Sequence, residues 1–171
     1  MEIPELIDHK ETFADYLLRM PAELAHVPED IVRTWFWYHN EQAVEFSSFY
    51  DFTKWKFKSK AFNNDQITDI KHYDYYLKRL DDKGGEFLKG RMKGYDTADF
   101  MLANGTFPEP ILVVENGSKH KHHHSIGDET MLERYHIIEG QRRLGFIRAM
   151  IRAGHPKLQA SHRAWVATIE D

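Results

Sequence analysis

Tyr135-His136-Ile137-Ile138-Glu139-Gly140-Gln141-Arg142-Arg143-Leu144-Gly145-Phe146-Ile147 is the stretch that decides how this chain folds. Its first half is a short apolar run, the pattern of a buried strand. Gly140 breaks that run. Leu144, Ile147 and Ile151 then recur at helical spacing, so a helix runs from about Gln141 to Ala153, and Gly154 stops it. Strand therefore passes into helix with no linker. A helix start presents unpaired N–H groups and partial positive charge. Two arginines in that first turn oppose the helix dipole unless an anion or a carboxylate lies between them. The first reading is a phosphate cradle at Gly140, Gln141, Arg142 and Arg143, built from backbone donors and a guanidinium fork. The competing reading pairs the arginines with Glu133 or Glu139, or leaves them in solvent.

Working outward, Pro108-Glu109-Pro110 leads into Ile111-Leu112-Val113-Val114, a second buried strand, and Ala164–Ile169 reads as a third. Residues 108–171 thus form a strand–strand–helix–strand unit. Glu115 closes the first of these strands, where an open sheet often places a ligand group. Between the first two strands lies a polar loop with His120, His122, His123 and His124. Neutral imidazoles bind Zn, Ni or Cu, but a run of adjacent histidines reads first as a solvated loop. Its functional alternative is a lid over the phosphate turn, with Asp128 and Glu129 near a Mg²⁺ ion. Arg148 and Arg152 read as a solvated basic face, or as a DNA contact. Of Tyr135 and His136, one is expected to face the core, and a structural role suits His136 better than a catalytic one.

Upstream, residues 5–20 carry Leu6, Phe13, Leu17 and Met20 near one helical face. A second helix starts at Pro28-Glu29-Asp30, with Ile31, Trp35, Tyr38 and Gln42 spaced along one side. This aromatic stripe reads as core or packing surface; base stacking or a protein partner is the alternative. Residues 53–58 alternate lysine with Trp55 and Phe57, which suits a lysine-protected edge strand or a phosphate-contacting one. A third helix is expected over 65–80, ended by Asp81-Asp82-Lys83-Gly84-Gly85, and a fourth over 97–104, ended by Asn104-Gly105.

The chain has 171 residues, no cysteine and a formal net charge of −4. Disulfides, thiolate metal sites and a cysteine nucleophile are therefore excluded, and a globally basic nucleic-acid binder is not indicated. No apolar run is long enough for a membrane span. The first residues, Met1-Glu2-Ile3-Pro4-Glu5, lack the features of a signal peptide. The expectation is a cytoplasmic protein without membrane contact.

Asp96–Ile111 and Tyr135–Phe146 together resemble the ParB/sulfiredoxin-like superfamily: a helix, a glycine, a Pro-Ile strand, then a strand, a Gly-x-x-Arg turn and a helix. The resemblance covers residues 96–171. It implies an α+β fold, a small mixed-sheet domain, with residues 1–95 as a mainly helical, aromatic-rich extension packed on it. In that family the turn holds nucleotide phosphates, which places Gly140, Gln141, Arg142 and Arg143 on ATP or CTP, with Mg²⁺. It implies Glu139 as the base, with Glu115 at its strand end as the alternative that the sheet position offers, and Arg143 as the charge-neutralising group of an NTPase, phosphoryl transferase or nuclease, with nucleotide and DNA as partners. Sulfiredoxins carry a cysteine in this turn, where Gln141 and Arg142 stand here, so their sulfinic-acid chemistry is not implied. ParB proteins follow the domain with a helix-turn-helix and a dimerisation region, whereas these residues end after the last strand. The expectation is a stand-alone domain; its alternative is a non-catalytic regulatory or inhibitory module of phage or plasmid type.

Overall fold

The computed structural model describes residues 2–170, which divide into two compact units: residues up to Phe57 with those from Thr168 on, and Lys58–Ala167. The sequence reading set its boundary at residue 95. The units divide within β1 (Trp55–Asn63), so everything from Lys58 to Tyr95 belongs with the second. The fold class is α+β, with a four-stranded mixed sheet in the order β1, β4 (Ser161–Ile169), β2 (Ile111–Glu115), β3 (Tyr135–Glu139). Among the described residues, no helix is long and apolar enough to cross a membrane.

In the first unit, α1 spans only Phe13–Leu18. Thr12 caps it by accepting the N–H of Asp15 at 3.2 Å, so residues 5–11 stay outside the helix. The buried residue is Tyr16, while Leu17 and Leu18 face outward. The second predicted helix does start after Pro28, as α2 (Glu29–Ile31), but it passes through a π-helical stretch, Val32–Trp37, before α3 (Asn40–Ser47). Tyr38 N–H bonds the Arg33 carbonyl five residues back, at 3.1 Å. Each such step adds a residue to the turn and rotates the face that follows. Trp35, Phe36, Ala43 and Phe46 are therefore buried, and Tyr38 and Gln42 are exposed. Trp35 meets Phe46 and Phe52 edge-on at 5.0 and 5.5 Å, and Phe52 packs on Trp55 at 5.0 Å. Trp35, Phe36, Phe46, Phe52 and Trp55 form the core of this unit, while Tyr38 and Gln42 of the predicted stripe face solvent.

In the second unit, β1 lies at the sheet edge, where its lysines discourage further pairing. The helix expected over 65–80 is split. A capping box between Asn63 and Gln66 starts α4 (Asn64–Thr68). Lys71 then pairs with the free edge of β3 (Tyr135–Glu139), its N–H on the Tyr135 carbonyl at 2.7 Å and its carbonyl on the Ile137 N–H at 3.0 Å. The next helix, α5 (Asp74–Leu88), runs straight through Gly84-Gly85. Gly84 is there for packing: a Cβ on it would sit 2.3 Å from the Gly145 carbonyl oxygen of α7 (Gln141–Ala153), and one on Gly145 would sit 2.4 Å from the Leu80 carbonyl oxygen. The two glycines let α5 and α7 cross in close contact. Helix α6 (Asp96–Asn104) ends at Gly105 as read.

Strands β2 (Ile111–Glu115) and β3 pair antiparallel, with Leu112 opposite Glu139 and Glu115 opposite Tyr135. Strand β2 pairs parallel with β4 (Ser161–Ile169). Ile111, Val113, Tyr135, Ile137, Ala164 and Val166 pack against Phe87, Leu144, Phe146 and Ile147 in one core. Residue alternation along β3 sends His136 and Ile138 to the opposite face of the sheet.

Candidate functional site

Gly140 joins β3 to α7 in the left-handed conformation, φ 87° and ψ 23°. A Cβ there would lie 2.6 Å from Ile111 Cγ2, so both backbone angle and space demand glycine. The first turn of α7 has no side-chain cap. Its leading N–H groups therefore have no partner within the helix.

The two arginines divide. Arg143 is buried. Its Nη1 donates to the Glu109 carbonyl at 2.7 Å and the Pro110 carbonyl at 3.1 Å, and its Nη2 pairs with the Glu139 carboxylate. It ties the approach to β2 to the end of β3. Arg142 is exposed, with its guanidinium 5.2 Å from the centre of the Tyr95 ring. Gln141 is half-buried beside it. Of the residues expected at the cradle, Gly140 and the arginines gather at the turn, but only Arg142 offers its charge outward.

The expected bases are differently placed. Glu139 is engaged by Arg143. Glu115 sits at the other end of β2, three residues along and so about 10 Å from Glu139. It accepts from the Tyr135 hydroxyl at 3.0 Å and lies 3.5 Å from Lys60 and 3.2 Å from Arg134. Burial works against its charge, but the Tyr135 hydrogen bond and these two cations outweigh it and hold the carboxyl below its ordinary range. Glu115, Glu139 and Arg143 thus do not form one constellation. Arg148, read as a solvated face, is buried instead. It reaches Asp81 at 2.9 Å and the Thr68 carbonyl at 2.6 Å, and Arg152 joins the same carboxylate at 2.8 Å.

The histidine loop is also not a solvated run. Its ends are tied by Asn116 N–H to the Arg134 carbonyl at 2.9 Å and by Met131 N–H to the His120 carbonyl at 2.8 Å. Asp128 pairs with Lys121 at 3.0 Å, and Glu129 accepts the Ile126 N–H at 3.1 Å; both hold the loop together, away from Gly140. Ser125 accepts the His122 N–H at 2.8 Å and meets the Tyr73 hydroxyl at 2.7 Å, and the Tyr75 hydroxyl donates to the His124 carbonyl at 2.7 Å. These contacts dock the loop beside the start of α5 and drive its rings inward. His72, His122 and His136 are all buried, with ring centres 4.9 to 5.1 Å apart. His124 stacks on Tyr76 at 4.1 Å. One ring nitrogen each from His72, His122 and His124 falls within 4.8 Å of the others.

Burial, assisted by neighbouring imidazoles, pushes His72 down to about 2 and His136 to about 4. Burial alone pushes His123 to about 4, and burial together with the neighbouring imidazoles lowers His122. Burial thus favours the neutral form of His72, His122, His123 and His136. His72 was missed in the sequence. Its only local signal is its place among Tyr73, Tyr75 and Tyr76, and the edge pairing of Lys71 that delivers it to β3 has no sequence mark.

No family model, no curated protein and no solved structure matches this chain.

Proposed function

We propose that the second unit is a binding module for phosphate groups of a nucleotide or nucleic acid, held at the first turn of α7. The observation that carries this is the uncapped helix start, opened by a left-handed Gly140 and flanked by the outward-facing Arg142. Uncapped amides and the dipole attract an anion, and a guanidinium beside them adds a bidentate donor. Arg143 supports the turn from inside and neutralises Glu139, which would otherwise repel a phosphate. The run of Pro-Ile strand, Gly-x-x-Arg turn and helix in this order supports a ParB/sulfiredoxin-like arrangement of residues 96–171.

Binding without turnover fits the side chains better than phosphoryl transfer or nuclease action. Glu139 is occupied by Arg143, and Glu115 is remote and ion-paired, so neither carboxylate stands ready as a base. The test is a thermal-shift panel of ATP, CTP, pyrophosphate and short DNA, with and without Mg²⁺. A ligand at 100 times its dissociation constant adds about 2.7 kcal/mol to stability. Stabilisation of the native chain, absent in Arg142→Ala, is expected. No stabilisation by any phosphate, or equal stabilisation of the variant, would remove the reading.

A further inference from the structure

The histidine knot lies apart from the phosphate turn, since His136 and Glu139 are three residues apart along β3, about 10 Å. We propose that it is a zinc-class metal centre in which His72, His122 and His124 ligate one divalent ion, clamping the 116–134 loop to the start of α5.

Three observations converge. The first is geometry. Two nitrogens on one tetrahedral zinc ion lie about 3.3 Å apart, given Zn–N distances near 2.05 Å. His72 Nε2 and His124 Nδ1 are 3.5 Å apart, long for a hydrogen bond and close to that edge. The His122 nitrogen lies within 4.8 Å of both. The second is donor chemistry. An all-imidazole set suits zinc, copper and nickel rather than the oxygen-seeking magnesium or calcium. The third is His136. Its Nδ1 accepts the Leu132 N–H at 2.9 Å, so the ring proton sits on Nε2. That atom is fully buried and has no hydrogen-bond partner among the described residues. Its ring lies 4.9 Å from His72 and 5.1 Å from His122. A solvent molecule in the fourth position of the ion would accept its proton.

The scaffold is also braced as a ligand set needs to be. Tyr76 stacks on both His72 and His124, at 4.8 and 4.1 Å, and fixes their ring planes. Tyr73 and Ser125 hold the loop turn that presents His122. In the structure, Nδ1 of His72 accepts the Tyr73 N–H at 2.9 Å and Nδ1 of His122 accepts the His124 N–H at 3.0 Å. An ion on Nε2 moves each ring proton to Nδ1 and displaces these local contacts. Loading therefore leaves a signature at two named amides. Since one ligand precedes α5 and two follow β2, the ion crosslinks segments about 50 residues apart in sequence and adds a loop-closing constraint to the loop's hydrogen bonds.

The experiment titrates the full chain, stripped with a chelator, with Zn²⁺ by calorimetry and with Co²⁺ by visible absorption. One equivalent with a tetrahedral Co²⁺ spectrum is expected, together with shifts of the Tyr73 and His124 amide resonances. His72→Gln and His124→Gln should each weaken binding by more than about tenfold, at least the loss that outer-shell changes cause, while His120→Gln leaves it unchanged. If the buried His72→Gln fails to fold, His124→Gln, on a half-exposed ring, carries the test. A chain that retains no metal after dialysis would overturn the proposal. So would binding that survives His124→Gln but is lost in His120→Gln, since that is chelation by the surface run.

Discussion

The Arg143 guanidinium closes on the Glu139 carboxylate one helical turn before it, across the left-handed Gly140. Both side chains are about nine-tenths buried, and Arg143 also satisfies two backbone carbonyls. Breaking such a pair by removing one partner costs about 3–5 kcal/mol, because a buried charge is left alone. Arg143→Ala should lose stability on that scale in urea denaturation. Its neighbour Arg142→Ala, on the exposed face, should stay within about 0.5 kcal/mol of wild type. Equal losses would mean that the two arginines do not divide structural from binding work.

The crossing of α5 and α7 gives a second prediction, from two adjacent glycines. A methyl group at Gly84 would collide with the Gly145 carbonyl, whereas nothing lies within 4 Å of one at Gly85. Gly85→Ala should stabilise the chain by about 0.4–1 kcal/mol, through the entropy of the unfolded state. Gly84→Ala should destabilise it by about 1–3 kcal/mol despite the same helix-propensity gain. Thermal denaturation of the pair reads this directly, and a stabilised Gly84→Ala would show that the helices can separate without cost.

Acid sensitivity of the metal-free chain follows from its buried imidazoles. Burial lowers His162, which sits between the Thr106 hydroxyl at 2.9 Å and the Asn64 side chain at 2.8 Å, and pushes His123 and His136 to about 4. A base whose folded pKa is depressed binds fewer protons folded than unfolded. Its stabilising contribution is complete above the unfolded value near 6.5 and is lost as pH falls toward the folded value. Stability measured by denaturant should therefore fall steadily from pH 6.5 to about 4, before most carboxylates titrate. A flat profile over that window would contradict the packed, neutral knot.

Much of the second unit was legible because its signals are local. Ile111–Val114, the Gly140 break, the Leu144–Ile147–Ile151 spacing and the Gly105 and Gly154 stops each depend on a few neighbouring residues. The errors arose where tertiary contacts rule. Gly84 and Gly85 look like a helix stop, yet Gly84 is a packing glycine whose reason lies on α7. The π-helical step after Ile31 rotates a face that strict periodicity carries to Tyr38 and Gln42. Arg148 looks solvated until Asp81 arrives from 67 residues away. At the phosphate turn, Gly140, Arg142 and Arg143 read from the sequence as one group, but which arginine points outward depends on the carbonyls of Glu109 and Pro110. The histidine run reads as a loop, while His72, which makes it a knot, comes from another segment.

The most direct test of the central claim is the affinity of a fluorescent nucleoside triphosphate, measured for wild type, Arg142→Lys and Arg142→Ala at two salt concentrations. The phosphate-turn account predicts saturable binding that weakens with salt. It also predicts at least a tenfold loss in Arg142→Ala, or about 1.4 kcal/mol, an intermediate affinity for Arg142→Lys, and unchanged melting temperatures. No binding to wild type, or an Arg142→Ala variant that binds as tightly, would contradict it.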